Sequence, residues 1–175
     1  MINEKMTSKL NTQLNKEFYS SYLYLGMSAW CTKMGYNGSA SWFMVQHEEE
    51  RMHALKIYNY MLNQGSKIEL LRIEQPEIDF SSLLACFEDS LGHEQMMTHS
   101  FNELCDLAIK QKDHASFIFF QWFVQEQIEE EVSVREVISK LKLVGDGNGI
   151  FMIDTQLAER TLTNQSVNSN ADKTL

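Results

Sequence analysis

At 175 residues, with 43% hydrophobic content, the chain is large enough to bury one ordinary core without disulfide or metal staples, and one domain is the expectation. Twenty-four acidic against 15 basic residues give a formal charge of -9, which argues against a nucleic-acid groove and for cationic partners or plain solubility. Cys31, Cys86 and Cys105 are odd in number, far apart and without a C-x-x-C pair, so neither a disulfide framework nor a thiolate zinc site is indicated, and a reducing cytoplasm fits.

In chain order, the opening residues lack an apolar leader, and no stretch approaches the roughly 18 consecutive apolar residues of a membrane span. A first helix is expected over about residues 4–34, closed by the turn Gly35-Tyr36-Asn37-Gly38, and a second over about 39–64, with Gly65 suited to its C-cap. A third is expected over about 82–112 behind the N-cap Ser82, and a fourth over about 114–143 behind Asp113. Gly145 to Gly149 reads as a flexible joint to a short amphipathic helix near 150–160, carrying Ile150, Phe151, Ile153 and Leu157. From Thr161 the sequence is polar and lacks aromatics, which divides the chain into a bundle over 1–160 and a mobile tail over 161–175. The lone proline, Pro76, lies in none of these helices.

Short turns make helices one and two, and three and four, antiparallel hairpins. The link between them, residues 66–81, is too long for a local turn. A helix of roughly 26 residues is about 39 Å long, and 16 extended residues can cover about 50 Å, so the link can return along the whole bundle. The expected fold is therefore all-α: a four-helix bundle in up-down-down-up order, with one long crossover and a short fifth C-terminal helix.

Each long helix carries an apolar seam of alternating three- and four-residue steps. The first runs Leu10, Leu14, Glu17, Ser21, Tyr24, Ser28, and the second Phe43, Gln46, Glu50, His53, Ile57, Tyr60. The third runs Phe87, Leu91, Glu94, Thr98, Phe101, Cys105, Ala108, and the fourth Phe120, Phe123, Gln127, Glu130, Val134, Val137, Leu141. Every seam is broken by acidic or polar residues at matched heights. Glu17 precedes Glu50 and His53 by 33 and 36 residues, and Glu94 precedes Gln127 and Glu130 by the same steps. Sliding the first hairpin by 77 residues superposes core on core and polar on polar.

Folding would gather Glu17, Glu50, His53, Glu94, Gln127 and Glu130 in one mid-bundle layer. An unpaired buried carboxylate costs several kcal/mol and four together repel, so they must protonate or share cations. No Lys or Arg stands at the seam positions, leaving metal ions as the natural countercharge. Oxygen donors with one imidazole suit iron or manganese better than zinc, and the three-residue step puts Glu50 and His53 on one helix face. A lone E-x-x-H is weak, since most such pairs are solvated or core polar positions; four aligned interruptions are specific.

With Glu17 upstream, the stretch Glu48 to Ala54, and Gln125 to Glu131 downstream, the chain resembles the non-haem bacterial ferritins over roughly residues 1–160. The general di-iron layout takes one Glu from each of two helices and Glu-x-x-His from the other two. The departure is Gln127-x-x-Glu130 in place of the second Glu-x-x-His, which sets the chain apart from bacterioferritins and di-iron oxygenases. Arg51 stands where a bacterioferritin carries its haem-ligating Met, and Met52 points to a different face, so no haem is expected. The resemblance implies Glu17 and His53 on one iron, Glu50 bridging, Glu94 and Glu130 on the second, and Gln127 beside the pair. It further implies a transient third iron position at Glu49, Glu126, Glu129 and Glu130, although by themselves Glu49, Glu126 and Glu129 read as a solvated acidic face. Tyr24 matches a family tyrosine near the irons, as electron donor or hydrogen-bond partner, and reads equally well as a core aromatic.

The function so implied is iron storage with ferroxidase activity. Two Fe(II) ions bind the layer, O2 or H2O2 is the oxidant, and the ferric product moves into a hollow shell of 24 subunits whose fifth helices line a four-fold channel. Rivals are a di-iron oxygenase or manganese catalase, which would turn over a substrate; a DNA-protecting miniferritin, disfavoured by the acidic charge; and a structural bundle without bound iron.

Overall fold

A computed structural model of the chain describes residues 2–145 and 147–162, and the tail expected beyond Thr161 lies outside the described residues from 163 onward. Five helices occur among them: α1 Glu4–Met34, α2 Asn37–Asn63, α3 Leu83–Gln111, α4 His114–Val144 and α5 Gly149–Leu157. The two expected N-caps hold, with Ser82 accepting from the Ala85 N–H at 3.0 Å and Asp113 from the Ser116 N–H at 3.1 Å. α5 stops at Leu157, short of the expected 160.

Three helix ends share one C-terminal device, in which a residue at positive φ lets the next N–H reach back to the last full turn. Gly35 (φ 87°) sends the Tyr36 N–H to Cys31 O, and Gly65 (φ 69°), one residue past Gln64, sends Ser66 N–H to Met61 O. After α3 the same place is held by Lys112 (φ 57°), the one non-glycine residue at positive φ among the described residues. The start of α2 has no cap of its own. Its exposed donors are answered from α5, where the Asp154 carboxylate accepts from the Gly38 and Ser39 N–H groups at 2.9 and 2.7 Å and from Ser39 Oγ at 2.7 Å. A negative charge at a helix N-terminus is favoured by the backbone dipoles as well.

The crossover climbs along α1, parallel to it. Asn11 pairs with Lys67 O and the Glu69 N–H, Asn15 donates to the carbonyls of Leu71 and Arg72, and Phe80 meets Trp30 edge-on at 5.4 Å. Rising residue numbers in the strap thus meet rising residue numbers in α1. α3 must then start at the end where α1 finishes and run against it, which gives the expected up-down-down-up order.

The core is two apolar clusters with a gap between them. One holds Leu23, Tyr24, Phe43, Phe87, Val134 and Leu141, and the other Leu10, Leu14, Ile57, Phe101, Phe120 and Phe123. The seams expected for α1 and α4 are buried throughout, and so is that of α2 except for half-buried Tyr60. In α3 the seam is shifted: Leu91 and Thr98 are only half-buried, while Ser90 and Met97 face the core. The true period of 3.6 residues drifts against a fixed three-four count, and Glu94 anchors both versions.

Candidate metal centre

The gap between the apolar clusters is filled by the six residues expected there. Glu17 and Glu94 are fully buried, and Glu50, His53, Gln127 and Glu130 nearly so. His53 Nδ1 lies 3.8 Å from Glu17 Oε2 and 3.7 Å from Glu50 Oε2, and the three residues present ligand atoms within 4.8 Å of one another. Glu94 and Glu130 come in from the second hairpin. Gln127 donates to Glu94 Oε2 at 2.9 Å and to its backbone carbonyl at 3.2 Å, while Gln46 donates to Glu130 Oε2 at 2.8 Å. The Tyr24 hydroxyl donates to Glu94 Oε1, and Ser90 Oγ donates to Tyr24 at 3.3 Å.

The electrostatics follow from this crowding. Burial lifts the Glu17 carboxyl well above its usual range, with the Glu50 charge adding to it. Burial lifts Glu50 as well, helped by Glu94 and Glu130, so Glu50 feels the carboxylates of the other hairpin and is the central acid of the layer. Glu94 is raised to about 8, by burial first and Glu130 second, against the lowering effect of its Tyr24 and Gln127 donors. Carboxyls raised together by burial and by one another mark a layer that lacks positive charge.

Two atoms test whether a metal would fit. Glu17 Oε2 and His53 Nδ1 are buried without any hydrogen-bond partner. Such orphans are rare in protein interiors, and here both sit within one cluster and are ligand atoms by chemistry. Gln13, which donates to Glu17 Oε1 at 2.7 Å and accepts from Ser100 Oγ at 2.5 Å, fixes the other Glu17 oxygen and leaves Oε2 open. Four carboxylates and one imidazole match iron or manganese.

The outer acidic residues separate. Glu49 is buried, Glu126 half-buried with its carboxyl raised by burial and by Glu129 and Glu130, and Glu129 exposed, accepting from Gln125 at 3.4 Å. The solvated-face reading therefore holds for Glu129 and fails for Glu49. Two contributors, Arg160 and Gln13, are absent from the residues expected from the sequence. Arg160 reaches Glu49 at 2.7 Å and Glu130 at 3.9 Å from beyond α5, a placement no local pattern encodes. Gln13 stands four residues before Glu17, one turn away on the same face, and that spacing could have found it. Arg51 pairs with Glu48 on the surface at 2.9 Å. All three cysteines are free and buried.

An all-α bundle that sinks four carboxylates between two apolar clusters, with a strap laid along its first helix, defines a metal-handling bundle protein of the ferritin-like class. The sequence profile described as the ferritin-like domain matches residues 7–144. A bacterial non-heme ferritin of Staphylococcus aureus is 39% identical over 162 residues, covering 92% of this chain and 98% of its own, and one from Staphylococcus saprophyticus is 40% identical over the same share of the chain. Among solved structures, an Archaeoglobus fulgidus ferritin engineered to a closed form superposes with a TM-score of 0.91 at 39% identity, covering 93% of this chain and all of the other. An open-pore ferritin of the same archaeon gives 0.90 at 38%, covering 91% of this chain and 98% of its own. The chain belongs to the ferritin family, whose shared role is iron storage.

Proposed function

We propose that this chain is a ferroxidase subunit that oxidises Fe(II) at an intrasubunit two-iron site and passes the ferric product into a shell. The observation that carries the reading is the pair of orphaned ligand atoms, Glu17 Oε2 and His53 Nδ1, inside a layer of raised-pKa carboxyls. Glu17 and His53 bind one iron, Glu94 and Glu130 the second, and Glu50, central to both hairpins, bridges them. Gln127 holds Glu94 in orientation through its amide. Bound as a pair, two Fe(II) ions can release two electrons to O2 or H2O2 together, and carboxylate donors favour the ferric state.

The protein's own part is proton handling and exclusion of water. Metal entry displaces the proton that Glu94, raised to about 8, holds near neutrality, and burial raises Glu17 and Glu50 in the same direction. Tyr24, fully buried and raised by burial and by the Glu94 charge, stays a neutral phenol that positions Glu94, and in this reading it also serves as an electron donor. Glu49, Glu126, Glu129 and Glu130 form a transient outer position for a third iron, and no haem takes part.

Apolar side chains left exposed at Leu70 and Leu71 on the strap, and at Leu143, Phe151 and Met152 near α5, support association into a closed homo-oligomer, with 24 subunits the count the family implies. On α5, Phe151 faces outward while Ile153 and Leu157 are buried. Among the described residues no helix is long and apolar enough to cross a membrane, and a cytoplasmic site of action is part of this proposal.

Rapid mixing of anaerobic Fe(II)-loaded protein with O2 tests the reading. Wild type is expected to show a fast oxidation phase that Glu17→Ala and His53→Ala both lose while keeping the helical fold. Equal rates in all three, no faster than buffer, would leave a structural bundle as the better account.

A further inference from the structure

Glu49 lies just outside the inner layer, yet it is buried to 4% exposure, and a carboxylate so placed needs a cation. Arg160, two residues beyond the end of the docked α5 turn at Ala158, supplies it: its Nη2 lies 2.7 Å from Glu49 Oε2 and 3.9 Å from Glu130 Oε2. The guanidinium lies over the Trp42 ring, 4.3 Å from the centroid. This is not a locked ion pair. Both carboxylates are met by one nitrogen, while Nη1 is buried with no partner, so the fork that usually makes an arginine-carboxylate pair rigid is half unused.

We propose that Arg160 is an internal counter-cation that holds the place of an outer divalent metal ion, so that this ion and the guanidinium exclude each other at Glu49 and Glu130. The inference rests on the two-iron reading above for the identity of the inner site, and it adds what governs the outer one. A divalent cation bound by Glu49 and Glu130 would use the oxygens that Nη2 now faces. Within about 4 Å of each other and away from bulk water, a doubly charged ion and a guanidinium repel strongly, so the arginine must leave when the ion arrives. Asp154 still ties α5 to the start of α2, which confines the release to residues 158–160. Coupling of this kind is reciprocal: the docked arginine weakens the outer metal, and the outer metal loosens the arginine. The outer position then fills only after the inner pair, and empties as Arg160 returns.

The test uses assembled, metal-free protein titrated anaerobically with Zn(II), a redox-inert divalent probe, followed by calorimetry. In Arg160→Gln the weakest class of bound Zn(II) is expected to tighten by about tenfold, the effect of losing one charge-assisted contact, while the two tight ions are unchanged. Arg160→Lys, which keeps charge without the planar fork, is expected to fall between. Hydrogen exchange on the wild type gives a second reading that needs no variant: amides of 158–160 should exchange faster with the outer position filled than with only the tight pair bound. Unmoved weak-site affinity in Arg160→Gln, or unchanged protection on filling, would overturn the role of Arg160 while leaving the inner pair intact. Loss of no tight ion in a Glu17→Ala control would count against the two-iron reading instead.

Discussion

Glu94 shows how a single residue ties the fold to its chemistry. Its carboxyl is raised to about 8 in the folded chain, against 4.5 as the ordinary value, so the folded state holds a proton that the unfolded state releases. Stability from this group is full below the ordinary value and is lost as pH rises toward 8, and Glu17 and Glu50 act in the same direction. Metal-free protein is therefore expected to melt at lower temperature at pH 8 than at pH 6, with added Fe(II) or Zn(II) reversing the loss and releasing protons; scanning calorimetry and titration in buffers of different ionisation enthalpy measure both. A melting point that rises with pH in the metal-free form would contradict the protonated layer. Gln13 acts on the same layer through Glu17 Oε1. Gln13→Leu is expected to weaken the first metal by about 10- to 100-fold, as loss of a partner behind a ligand commonly does, with little change in fold; anaerobic titration reads it. The six layer positions were legible because the two hairpins repeat their spacing, which makes each polar break support the others. Arg160 was not, since its contacts depend on how α5 docks and nothing in residues 150–160 alone fixes that.

At the scale of elements, helix ends carry much of the specification. Lys112 occupies the left-handed position that Gly35 and Gly65 fill after α1 and α2, and a side chain there is strained. Lys112→Gly is expected to stabilise the protein by about 0.5–1 kcal/mol, read from denaturant midpoints; no change or a loss would mean that the lysine side chain offsets its own strain. Gly38 marks a close approach instead: a Cβ there would lie 1.6 Å from the Asp154 carbonyl oxygen, closer than any packing allows. Gly38→Ala should push α5 off the start of α2, seen as loss of exchange protection over 149–157, and full protection would refute that docking. The sequence shows Gly38 only as half of a turn. Its second use is invisible without the tertiary contact, as is the capping of α2 by Asp154. Helix extents, the strap's path and both hairpins could be read ahead because local caps and the 3.6-residue period fix them. The α3 seam drifted by one position where a rigid count replaced that period.

For the whole molecule, the arrangement separates two tasks. Two apolar clusters hold the bundle together at either side of the layer, so the acids between them can remain poorly satisfied without unfolding the chain. The strap and α5 keep apolar residues on the outside, where further subunits would cover them. The central claim is that the layer binds two irons at once. Crystals soaked anaerobically with Fe(II), with diffraction recorded on either side of the iron absorption edge, test it most directly. Two anomalous peaks roughly 3.5–4 Å apart, one beside Glu17 and His53, one beside Glu94 and Glu130, with Glu50 touching both, are the expected result. Iron elsewhere on the protein with none in the layer would contradict the account.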